Sequence, residues 1–255
     1  MIKLYCPKVK LKFIPLALLL VFIPTFCFPL DAYIHTPTAP TVYLQIETGL
    51  ALANKYKGSS SSELGKYLNG GKPTNTGIIG VELGYEFYDS FRIALAAYQS
   101  LYKFERNYNE TYEDGDVGRH NAKAKLRNRS LMLNGYYDFF VSKRIIPYIT
   151  LGIGAAFNKS GDVNLITNSD DPRDQSIDYA KGKNKLNFIW ALGAGIKAPI
   201  DDKWSIVLGY KYYNLGKFKT SSFYIDRRGE YFPSESAGTK SLHVNTITIG
   251  INYRF

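Results

Sequence analysis

The side chains able to do chemistry are few and poorly assembled. His35, His120 and His243 are far apart in sequence, and none has a second His or a Cys at a metal-binding spacing. Each reads as an ordinary exposed residue. Ser241, His243 and either Glu230 or Glu235 could be drawn into a hydrolytic set that deacylates a lipid. No nucleophile elbow or oxyanion signature accompanies them, and the chain is read as non-enzymatic. Gly152-Ile153-Gly154 lacks the Lys-Ser/Thr ending and the strand–loop–helix setting of a phosphate loop. The acidic groups Glu110, Glu113, Asp114, Asp116 and Asp170, Asp171, Asp174, Asp178 lack the twelve-residue calcium pattern and read as solvated loops. No cofactor and no metal are expected.

One set of charges does follow a rule. Glu47, Glu82, Glu86 and Asp138, with Arg92, Lys197, Lys211 and Arg254, all fall on the polar phase of a two-residue alternation. Four acids and four bases on one enclosed face survive burial only when paired. They are expected to form a salt-bridged network that plugs a lumen.

The elements that must carry them are strands. In 42–53, Val42, Leu44, Ile46, Leu50 and Leu52 alternate with Tyr43, Gln45, Glu47, Gly49 and Ala51. The same period runs through 77–88, 91–104, 127–139, 146–157, 185–199, 204–214 and 243–255, giving eight strands of 11 to 15 residues. A tilted strand needs about 9–11 residues to cross the hydrocarbon layer. The links between them run 23, 2, 22, 6, 27, 4 and 28 residues. Long and short alternate without exception, as in a barrel with short turns on one side of a membrane and long loops on the other. Backbone groups in lipid must all be paired, so the sheet must close. The expectation is an all-β protein: a closed eight-stranded antiparallel up-and-down transmembrane β-barrel. Tyr85, Phe87, Phe91, Phe139, Trp204, Tyr253 and Phe255 would form an interfacial girdle on its lipid face.

The composition agrees. Of 255 residues, 15% are aromatic, with 21 Tyr and 15 Phe, enough bulky apolar surface to exclude a disordered chain. Two cysteines exclude a disulfide scaffold. Residues 1–32 read as a secretion signal: Lys3, Lys8, Lys10 and Lys12 precede an uncharged stretch from Phe13 to Leu30. Its cleavage site is not sharply marked. Cys6 and Cys27 both lie within it, and Cys27 lacks the small preceding residue of a lipoprotein signal. The formal charge of +10 includes those four lysines, so basicity is partly a targeting feature and gives no reason to expect nucleic-acid binding. Residues 33–255 are then the barrel domain, with long external loops at about 54–76, 105–126, 158–184 and 215–242.

The strands bear a resemblance. Leu131 to Phe139 (LMLNGYYDF), Pro147 to Gly154 (PYITLGIG), Trp190 to Ile196 (WALGAGI) and Leu208 to Asn214 (LGYKYYN) resemble the eight-stranded outer-membrane barrels of opacity type, above all the major surface antigens of rickettsial-type intracellular bacteria. The ending with Ile251, Tyr253 and Phe255 resembles the terminal aromatic signal read by the outer-membrane insertion machinery. The resemblance implies a surface antigen in the bacterial outer membrane, contacting its lipid, with adhesion or host interaction common and pore activity in some members.

Two functional expectations follow. The first is a non-enzymatic surface antigen displaying four long loops for adhesion or immune interaction. Phe223, Tyr224, Tyr231 and Phe232 in the last loop are candidate interface anchors. The loops could also hold lipopolysaccharide or an anionic host surface by charge: Lys55, Lys57, Lys66 and Lys72 outnumber Glu63 in the first, and Lys217, Lys219, Arg227, Arg228 and Lys240 outnumber Asp226, Glu230 and Glu235 in the last. The alternative is a narrow outer-membrane pore for small solutes. A lipid hydrolase is the least supported reading.

Overall fold

A computed structural model describes residues 40–55, 72–87, 90–111, 117–139, 144–168, 176–225, 230–233 and 241–255. The expected signal, residues 1–32, lies outside them. Twelve strands are described: β1 (Thr41–Ala53), β2 (Lys72–Pro73), β3 (Thr76–Phe87), β4 (Phe91–Thr111), β5 (Val117–Asp138), β6 (Ile146–Ser160), β7 (Val163–Asn168), β8 (Ser176–Pro199), β9 (Trp204–Asn214), β10 (Lys219–Ile225), β11 (Tyr231–Pro233) and β12 (His243–Arg254).

Eight of them close a ring. β1, β3, β4, β5, β6, β8, β9 and β12 pair antiparallel in that order, and β12 returns to β1 with Ile251 opposite Ile46. Closure leaves no unpaired edge, which is the condition for standing in hydrocarbon. Side chains alternate across the wall as the pleat requires. Ile79, Val81, Leu83, Tyr85 and Phe87 of β3 face outward; Gly80, Glu82, Gly84 and Glu86 face the lumen. Outward residues on β4 run from Phe91 to Leu101, about 33 Å along the strand. A tilt of roughly 40° reduces that to about 25 Å, the height of a hydrocarbon band.

The two ends differ. At one, the links are short: residues 88–90, 139–145 and 200–203. The Asp201 carboxylate accepts the Lys203 and Trp204 backbone amides at 2.8 and 2.7 Å and fixes the last of these turns. The outward aromatics gather at this end in edge contacts: Tyr85 with Phe87, Phe91 with Tyr137, Tyr137 with Phe139, and Tyr253 with Phe255. Trp204 lies 4.7 Å from Tyr253 between ring centres.

At the other end the sheet continues well past the belt. The segment 105–126, expected as a loop, is β-paired wherever it is described: β4 and β5 stay in register from Phe91–Tyr137 to Thr111–Val117. Segment 158–184, also expected as a loop, is strand over 158–160, 163–168 and 176–184, with 169–175 outside the described residues. β7 continues β6 after a one-residue register shift beside Gly161–Asp162, and pairs with β5 on one side and β8 on the other. The reason is visible in the residues. Alternation persists beyond the belt but changes sign: Lys103, Glu105, Lys123, Lys125 and Arg127 face out, while Tyr102, Phe104, Ala122, Ala124 and Leu126 are buried. A reading that looked for apolar residues outside stopped at the inversion. β2 adds to β4, and the β10–β11 hairpin adds to β8, at the same end. Of the expected loop 54–76, residues 56–71 lie outside the described residues.

Candidate functional site

The barrel wall delivers its charges to one enclosed column. Glu47, Glu82, Glu86, Arg92, Asp138, Lys197 and Lys211 are buried, and Arg254 stands half-buried at the turn end. The structure brings all eight into two linked clusters.

The cluster nearer the turns centres on Asp138. Arg92 holds it with both Nε and Nη2 at 2.8 Å, a two-pronged grip. Lys197 Nζ lies 3.2 Å from the same carboxylate and 2.6 Å from Glu86, and Arg254 Nη2 closes on the other Glu86 oxygen at 2.5 Å. The Arg92 guanidinium lies 4.4 Å from the Tyr136 ring centre and 5.3 Å from that of Tyr148, which shields the cation with aromatic faces.

The second cluster centres on Lys211. Its Nζ lies 3.0 Å from Glu47, 3.1 Å from Glu82 and 2.8 Å from the Tyr98 hydroxyl. Tyr136 donates to Glu82 at 2.6 Å, Tyr98 donates to the other Glu82 oxygen, and the Asn134 amide adds a contact at 3.2 Å. Gln45 donates to Glu47 at 3.0 Å. Tyr136 therefore joins the clusters, with its hydroxyl on Glu82 and its ring beneath Arg92. The first cluster carries three cations on two carboxylates and the second one cation on two carboxylates. A Cβ at Gly80 would run into the Tyr98 ring, so a residue without a side chain is required there.

Tyr98, Tyr136, Asn134 and Gln45 were not singled out from sequence. They occupy the inward phase, but neutral side chains give no charge signal. A third layer was missed altogether. Leu215, Phe218 and Leu242, just beyond the ends of β9 and β12, are buried with Tyr98, Tyr102, Leu126 and Tyr213 in one apolar cluster above the charges. Gly216, at φ +73°, allows the chain to turn inward there. Asn158 ties the turn by donating to the carbonyls of Leu215 and Lys217 at 2.7 and 3.3 Å, and Asn128 donates to Asn158 at 2.6 Å.

The other candidates resolve as follows. Ser241 donates to Asn214, and His243 Nδ1 shares a 2.8 Å hydrogen bond with the Tyr212 hydroxyl, so these two side chains are engaged elsewhere. His120 is buried on the inward face of β5, not exposed as its loop position suggested, because the strand runs on through that segment. No group of His, Cys, Asp and Glu able to hold a metal occurs among the described residues. Ile251 faces outward on the last strand and Phe255, just past its end, is exposed, with Tyr253 half-buried against Trp204. The backbone of β10 and β11 sets Tyr224 opposite Phe232. Beyond the belt, Asn121 and Lys123 hydrogen-bond to Glu105 and hold its carboxyl below the ordinary range.

The model of the outer membrane protein beta-barrel domain matches residues 23–255. Outer membrane protein PagN of Salmonella typhimurium is 30% identical over 223 residues, covering 84% of this chain and 90% of the relative. A candidate adhesin of Rickettsia conorii, RC1281, is 28% identical over 183 residues, covering 71% of this chain and 70% of the relative. Among solved structures, the outer membrane protein OprG of Pseudomonas aeruginosa aligns at a TM-score of 0.49 and 16% identity, over 84% of this chain and 96% of that one.

Proposed function

The chain belongs to the outer membrane protein β-barrel family, and we propose that it serves there as a non-enzymatic surface antigen, a sealed barrel that holds its external hairpins and loops outward for adhesion to a host surface. Its place is the bacterial outer membrane, in contact with the lipid of that membrane. The observation that carries the sealed reading is the filled lumen. Two ion clusters and the Leu215–Phe218–Leu242 cap lie one above the other, and every one of the four acids meets a cation. An eight-stranded barrel has an interior just wide enough for side chains to fill. Adhesion draws support from the name of the Rickettsia conorii relative. The engagement of Ser241 by Asn214 and of His243 by Tyr212 supports the non-enzymatic reading over the hydrolase.

In this reading residues 1–32 direct export, and Ile251, Tyr253 and Phe255 form the segment read by the insertion machinery. The eight charges act as a plug that fixes strand register and leaves the barrel as a rigid mount.

The test is conductance. The protein from residue 33 onward, refolded and shown folded by its heat-dependent band shift, is added to planar bilayers. A sealed bilayer is expected, with steps appearing in Phe218→Ala combined with Lys211→Met. Reproducible steps in the unmodified barrel would replace the sealed mount with a narrow pore. Adhesion is tested separately by replacing residues 226–240 with a short Gly-Ser linker, which leaves the cap in place. Binding to cultured host cells should fall severalfold; unchanged binding would remove that loop from the adhesive surface.

A further inference from the structure

The outer wall carries a row of cations that neither the plug nor the loop tips employ. Going up β5, the outward side chains are Tyr137, Leu133 and Leu131, then Arg129, Arg127, Lys125 and Lys123. Alternate residues of a strand are about 7 Å apart, so the four cations cover about 20 Å beginning at the edge of the apolar belt. The neighbouring strands widen the row. Arg127 lies opposite Leu101 on β4 and Lys159 on β6, and Lys125 lies opposite Lys103.

Apart from Lys123, these charges are not neutralised in place. The nearby Glu105 is paired with Lys123 at 3.4 Å. Lys103, Lys125, Arg127, Arg129 and Lys159 are exposed and meet no carboxylate among the described residues. That contrasts with the lumen, where every acid meets a cation.

Below the row lies a groove. Ala97 stands between Val81 and Leu131 in one register row, and its short side chain leaves a depression bounded by Ile46, Ile79 and Phe157. The groove is open on its outer side and offers about 550 Å³. Arg129 forms its upper lip, with the guanidinium held by a 3.0 Å hydrogen bond from Nε to Gln99. An apolar groove in the lipid-facing wall, capped by unpaired guanidinium and ammonium groups, fits an amphiphile lying along the barrel with an anionic head at the rim.

We propose that this face binds a phosphorylated glycolipid of the outer leaflet, with its phosphates on Arg129, Arg127 and their lysine neighbours and an acyl chain in the groove at Ala97. The arginine fork matches phosphate geometry. A free anion would have no use for the groove, and a neutral lipid none for the cations. The site depends on the outer-membrane setting and is independent of the adhesive loops.

The test uses the refolded barrel in phosphatidylcholine nanodiscs containing a minor fraction of diphosphoryl lipid A, with lipid A retained per barrel read by native mass spectrometry. Each basic residue at an anionic bilayer surface is worth roughly fivefold in partition, so Arg127→Gln with Arg129→Gln should lose about twenty-five-fold. Ala97→Phe, which fills the groove, should also lose retention. Lys183→Gln with Lys219→Gln, the same charge change elsewhere, should retain lipid A, and inorganic pyrophosphate should not displace it. Equal loss in both charge variants would reduce the effect to net charge and overturn the proposal. Displacement by pyrophosphate, or by heparin as a representative polysaccharide, would overturn it as well. Folding of each variant is checked by the band shift. Should the arginine variant not fold, Ala97→Phe decides alone, and undiminished retention there defeats the site.

Discussion

In the lower half of the β4–β5 hairpin, Leu95 and Leu133 face out and Arg92, Tyr98, Asn134 and Asp138 face in; in the upper half, Lys103, Lys125 and Arg127 face out and Tyr102, Phe104 and Leu126 face in. The strands, the register and the two-residue period are the same throughout. What changes is the medium outside, lipid below and water above. The cations show the difference most plainly. Arg92, enclosed, is gripped by both oxygens of Asp138, while Arg127, in the open, meets no carboxylate among the described residues. A charge removed from water must be matched; one left in water is free to hold something else.

The largest break in this comparison should come from the enclosed half. Lys211→Met leaves Glu47 and Glu82 buried without their shared cation, and about 3–5 kcal/mol of stability is expected to go. Urea unfolding in phosphatidylcholine vesicles, followed by Trp190 and Trp204 fluorescence, measures it. Adding Glu47→Gln and Glu82→Gln should restore much of the loss, and no restoration would mean that Lys211 acts through packing alone.

Next comes a contrast along one strand. Leu133→Arg puts a cation in the middle of the lipid belt and should cost about 2–4 kcal/mol. Lys125→Leu, eight residues earlier on the same face, should change stability by no more than about 0.5 kcal/mol, as is usual for an exposed site. Similar costs at both positions in the same unfolding assay would mean that the belt does not end near Arg129.

The smallest effect belongs to the exposed pair of the upper half. A double-mutant cycle on Glu105→Gln and Lys123→Gln should return about 0.2–1 kcal/mol, shrinking in high salt. A salt-insensitive coupling of the size seen in the lumen would show that the upper wall is far less hydrated than its exposure implies.

Much of this was legible in the residues. The outward set Ile79, Val81, Leu83 and the inward set Glu82, Glu86 are fixed by parity alone, because a strand cannot present neighbours to the same side. The rhythm of short and long links identified the two ends of the barrel. Other features were not legible. The tall hairpins were missed because the pattern inverts at Leu101 and Arg129, where an amphipathic strand in water looks like a charged loop. The cap was missed because Leu215, Phe218 and Leu242 belong to no periodic segment, and only the closed ring brings Asn158 of β6 against the carbonyls that follow β9.

By itself, then, the sequence determined period, polarity and the number of membrane crossings, since these depend on each residue and its near neighbours. Which acid meets which base was decided by tertiary structure. Lys211 and Glu47 are 164 residues apart, and Lys197 and Glu86 are 111; only the stagger of eight closed strands sets them at the same height. Tyr136 spans the two clusters for the same reason, and Ala97 becomes the floor of a groove only when Val81 and Leu131 flank it across the wall.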